Sequence, residues 1–69
     1  MDYETIMANL NDAVIHFNRK INYSELTYLK HHEINRELKR AFGLILDREF
    51  AQAQNFINRA NAVMNSTSH

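Results

Sequence analysis

Lys39-Arg40-Ala41-Phe42-Gly43-Leu44-Ile45-Leu46-Asp47-Arg48-Glu49 contains the single glycine of a 69-residue chain, and its reading decides how many helices there are. Read as a break, Gly43 is the left-handed residue beyond a helix end, with Lys39 and Arg40 in the last turn and Leu44 folding back on Leu38. Asp47 then caps a third helix, with Glu49 in its first turn. Read as continuous, one helix runs from Ser24 to Met64 and tolerates the glycine at a cost of ~1 kcal/mol. At 100° per residue, the apolar sets before and after Gly43 differ in phase by roughly 80–90°. That offset favours a break, although a loop there would have to hide Leu44, Ile45 and Leu46. The expectation is therefore an all-α, small three-helix bundle, with a helical hairpin carrying one long second helix as the alternative.

Upstream, the pattern is plainer. Tyr3, Met7, Leu10, Val14, Phe17 and Ile21 recur at steps of four and three, which returns each to one face of a 3.6-residue helix. Ile6 and Ala13 widen that stripe, Asp2 offers an N-cap, and Arg19 and Lys20 suit the carbonyl end. A second helix is predicted from Ser24 as cap, with Tyr23 and Tyr28 as a hydrophobic staple around it. Its core side would be Leu29, Ile34, Leu38, Ala41, Phe42 and Ile45, and Glu37 would pair with Arg40 on the solvent side. Downstream, Leu46, Phe50, Ala53, Ile57, Ala60 and Met64 form a seam flanked by Phe56 and Val63. One domain over 1–64 is expected, with helices at about 3–21, 24–42 and 47–64 and a frayed tail at 65–69.

Composition narrows the function classes. Eight basic side chains balance eight acidic ones, so neither a polybasic arm nor an acidic tail is present. With no Cys there is no disulfide, thiolate nucleophile or Cys-ligated zinc. The acidic N-terminus is unlike a signal peptide and no apolar run approaches the ~20 residues of a membrane span, so a cytoplasmic protein without a membrane role is expected. The sequons at Asn22 and Asn65 are then chance matches.

Chemistry finds few footholds. His31 and His32 are adjacent and point ~100° apart on a helix, so one metal does not readily take both; no metal site and no cofactor are expected. Asp12 and His16 stand four apart, a spacing for a surface pair or a pH-responsive contact. Ser24 reads as a cap, Asp47 and Glu49 do not converge, and a single glycine makes no phosphate loop, so no catalytic residue is assigned and no enzyme is expected.

Binding is what remains. Four Phe, three Tyr and broad apolar stripes exceed what a lone small bundle needs to cover, which predicts a homo-oligomer, simplest as a twofold dimer. The leading expectation is a small non-enzymatic regulatory or adaptor protein acting by protein–protein interaction, docking through Tyr28, Leu44, Leu46 and Phe56. The alternative is a small dimeric nucleic-acid-binding regulator using the helix face of His32, Arg36, Lys39 and Arg40, with Glu33 and Glu37 interrupting it. A helix-turn-helix with its turn at Gly43 to Leu46, presenting Gln52, Asn55 and Arg59, is a further form of that alternative. The aromatic residues are expected in the apolar stripes, away from any base.

Overall fold

The computed structural model describes residues 2–66. They form three helices, α1 (Tyr3–Asn22), α2 (Tyr28–Leu46) and α3 (Phe50–Asn65), without strands among the described residues. The three-helix reading holds. Successive helices run up, down and up: His31 meets Phe17 across α1 and α2 at 5.1 Å, and Arg40 lies over Phe56 across α2 and α3. At one end of the bundle the Tyr3 and Phe50 rings meet edge-on at 6.4 Å. The shape is elongated, 33 × 18 × 15 Å, with α2 packed more extensively on α3 than on α1.

The first helix starts as its sequence dictates. Asp2 is extended at φ −99°, ψ 171°, and its Oδ1 accepts from the Thr5 backbone N–H at 2.8 Å. Hydrogen bonding by the Thr5 side chain, and then by its backbone, holds the Asp2 carboxyl below its ordinary value. The cap therefore works in neutral solution and is lost as pH falls through that lowered value.

The breaks fall elsewhere than expected. Ser24 caps nothing; it stands past the end of α1 in the left-handed region, φ 53°. There the Glu25 N–H donates to the Lys20 carbonyl and the Ser24 N–H to the Ile21 carbonyl, the paired bonds of a Schellman ending. The cap of α2 is Thr27, whose hydroxyl accepts from the Lys30 N–H at 3.3 Å. Tyr23 and Tyr28 form no staple around Ser24 and are 76% and 82% exposed.

Gly43 lies inside α2, which continues to Leu46. The second Schellman ending is built at Asp47-Arg48-Glu49: Glu49 N–H donates to Leu44 O at 2.8 Å and Arg48 N–H to Ile45 O at 3.0 Å, with Arg48 at φ 61°. Asp47 closes α2 instead of opening α3, whose cap position is Glu49 without a side-chain bond. The reason is burial. Ile45 is completely enclosed, and a turn at Gly43 would have surrendered that contact together with the partial cover of Leu44.

The glycine therefore sits where a side chain is preferred, and arginine sits where glycine is. A Cβ added at Gly43 would meet nothing within 4 Å. Gly43→Ala combined with Arg48→Gly is expected to stabilise the fold by ~1–2 kcal/mol, from helix propensity at 43 and relief of left-handed strain at 48. Thermal unfolding followed by circular dichroism measures it; an unchanged or lower midpoint contradicts the account.

The core is formed by Ile6, Leu10, Ala13 and Phe17 of α1, Ile34, Leu38, Ala41 and Ile45 of α2, and Ala53, Ile57, Ala60 and Met64 of α3. On α1 this stripe is turned by roughly 50° from the one expected, leaving Tyr3, Val14 and Ile21 exposed. Leu29 and Phe42, expected inside, are exposed, and Leu46 belongs to α2 and points outward. Glu37 does not pair with Arg40 in solvent; it is buried, with its Oε1 3.5 Å from Arg36 Nη2. The predicted tail begins later than 65: Asn65 is helical and Ser66 Oγ donates to Val63 O at 2.7 Å while accepting from Lys30 Nζ at 3.2 Å. Residues 67–69 lie outside the described residues.

Candidate interaction surfaces

Between α1 and α2, where the packing is thinner, runs an open trough of about 590 Å³. Leu10, Val14 and Phe17 form one wall and Leu38 and Phe42 the other, with the Asn18 and Asn35 amides and the Lys39 ammonium as its polar groups. Its composition suits an apolar occupant held in register by a few hydrogen bonds, since no carboxylate, imidazole or hydroxyl lines it. The spacing of Val14 and Phe42 fits the core stripes, so periodicity alone assigns both to the interior. The signal that could have found them is stripe width: both lie at the edge of a set broader than one neighbour can cover.

The four residues expected to dock a partner are not brought together. Tyr28 opens α2 and Leu46 ends it, 82% and 61% exposed, at opposite ends of a 19-residue helix. Leu44 and Phe56 are half-buried and pack against the core. Phe56 also carries two cations: the Arg40 guanidinium carbon lies 5.4 Å from its ring centroid and that of Arg59 lies 4.9 Å away.

The basic residues of α2 do share a face. His32, Arg36, Lys39 and Arg40 are all exposed. Tyr28, His32, Arg36 and Arg40 follow one another every fourth residue, a ridge winding slowly along ~18 Å of helix. The Tyr28 and His32 rings stack along it, 6.4 Å apart and 10° from parallel. This places an aromatic ring outside the apolar stripes, against expectation. Arg59 of α3 joins the ridge at its far end through Phe56; the Phe56-x-x-Arg59 spacing, one helical turn, was its sequence signal. Because α2 and α3 lie antiparallel side by side, from Lys30 against Ser66 to Arg40 against Phe56, they form a hairpin, and the helix-turn-helix arrangement is excluded.

Charge is segregated although it sums to zero. Asp2 and Glu4 at the start of α1 lie at the same end as Asp47 and Glu49 of the second turn, as the Tyr3–Phe50 contact shows. Among the described residues Arg48 is the cation of that end, set against these four carboxylates. Elsewhere, Lys20 is buried and reaches Glu25 Oε1 at 3.5 Å, fastening the first turn. Asp12 and His16 make no ion pair with each other. Among the described residues no group of three or more His, Asp or Glu is placed to hold a metal, and no helix is long and apolar enough to cross a membrane. Compared with protein-family models, curated proteins and solved structures, the chain matches none.

Proposed function

We propose that this is a non-enzymatic binding protein, a regulator or adaptor, that acts by protein–protein contact through its helical surfaces and pairs first with a second copy of itself. The observation that carries the reading is the trough between α1 and α2, with Val14 and Phe42 on its rim at 37% and 45% exposure. Of the seven Phe and Tyr rings only Phe17 is buried, so much of the apolar surface that such a chain needs for stability faces outward. Rings on a surface are the side chains that most often anchor an interface, and the amides and ammonium beside them would set its register.

Light scattering over a range of concentrations tests the pairing. The expected mass is twice 8.2 kDa, and Val14→Asp with Phe42→Asp is expected to return it to 8.2 kDa with helicity retained, since both side chains already reach solvent. A chain that stays at 8.2 kDa at every concentration removes the second copy from the proposal.

A further inference from the structure

Two guanidinium groups from different helices, those of Arg40 and Arg59, lie over the one Phe56 ring, 5.4 and 4.9 Å from its centroid. Among the described residues neither Arg40 nor Arg59 has a carboxylate within 4.0 Å. Nor does the Glu37 carboxylate, three residues before Arg40 and buried, neutralise them: its contact is with Arg36. A guanidinium lying over an aromatic face keeps its N–H edge free, and that edge matches the two oxygens of a phosphate. Phe56, half-buried against the core, is thus a seat shared by two exposed guanidinium groups.

The rest of the ridge extends the same chemistry. Arg36 and Lys39 add cations on the exposed side of α2, while Glu33 is the one exposed carboxylate among residues 28–40. Tyr28, 82% exposed and stacked on His32, provides a flat ring at the end away from the arginine pair. Cations that track a backbone, together with a ring on which a base can stack, are the two elements of single-strand recognition. The acidic end formed by Asp2, Glu4, Asp47 and Glu49 would repel a phosphate chain and so limit how it lies.

We propose that Arg40 and Arg59, seated on Phe56, form a two-arginine clamp for the phosphodiester backbone of single-stranded nucleic acid, with Tyr28 as a stacking platform for a base. Arg40, Arg59 and Phe56 lie on the α3 side of α2 and line no part of the trough, whose Lys39 is the one cation it shares with the ridge, so the arginine pair is tested separately from self-association.

Fluorescence anisotropy with a labelled oligodeoxythymidine of about 20 nucleotides, titrated at several salt concentrations, tests it. Binding should weaken linearly on a logarithmic salt scale. Arg40→Gln with Arg59→Gln should lower affinity about 10- to 100-fold and flatten the salt slope by about 1.4, because two phosphate contacts on a single strand are lost. Tyr28→Ala should lower affinity about tenfold with the slope unchanged, because stacking releases no counterions. All three side chains are exposed, so circular dichroism should show the fold intact. No binding at low salt, or binding indifferent to the arginine pair, overturns the proposal. So does equal or tighter binding of a poly-glutamate peptide, which would make the clamp a site for acidic protein segments.

Discussion

Ile34→Ala is expected to bring the folded and unfolded populations close to balance at 25 °C. Ile34 is fully enclosed, in a core that joins all three helices. Removing three buried carbons costs the transfer energy of the lost groups and leaves a cavity, together ~2–5 kcal/mol. A chain of this size without disulfides has only ~3–5 kcal/mol to lose. Leu29→Ala is the matched comparison, because the same periodicity argument had put Leu29 in the core and the structure leaves it 77% exposed. That change should stay within ~0.5 kcal/mol of the parent. Urea titration of both variants measures the difference; comparable losses would mean that α2 is rotated from the orientation described.

Glu37→Met is expected to stabilise the protein by ~1–3 kcal/mol. Glu37 is buried, and its Oε2 has no hydrogen-bond partner among the described residues. Its Oε1 has a single ionic contact, 3.5 Å from an arginine that is 64% exposed. Such a contact is screened by solvent and does not repay the loss of hydration at the other oxygen. Methionine has a similar length and no polar requirement, and it conforms to irregular spaces. In a domain this small each ~1 kcal/mol raises the unfolding midpoint by ~4–8 °C, so the change is large enough to read directly in a melt. Glu37→Gln should gain less, since the buried amide keeps polar atoms to satisfy. A lower midpoint for Glu37→Met would show that the carboxylate is better served than its contacts indicate.

Both substitutions test features that the sequence showed incompletely. Ile34 was legible as core because it lies in the middle of its apolar stripe, where any nearby orientation of the helix still buries it. Residues at stripe edges were not. Val14 and Phe42 fit the periodicity of a core face and ended outside it, and the rotation of α1 carried Ile21 out as well, while Ile6 and Ala13 on the flank are buried. Glu37 was read as solvated because glutamate usually is, and only its placement between Ile34 and Ala41 on α2 put it inside.

The interaction surfaces divide in the same way. The basic face of His32, Arg36, Lys39 and Arg40 was legible, because spacing along one helix fixes which side chains share a side. The partnership of Arg40 with Phe56 and Arg59, and the trough that α1 and α2 leave between them, need two helices in register and could not be read from either alone.

The residue order by itself determined that the chain is helical and that Asp2 opens the first helix, and it favoured three helices over a hairpin with one long second helix, because periodicity, absent proline and local capping act within a few residues of one another. Where α2 ends and which flank of each helix is covered were decided only on assembly. Burying Ile45 favours three more residues of helix beyond a glycine that could have stopped it, and stripes wider than one contact can cover are settled only when the other two helices take their places.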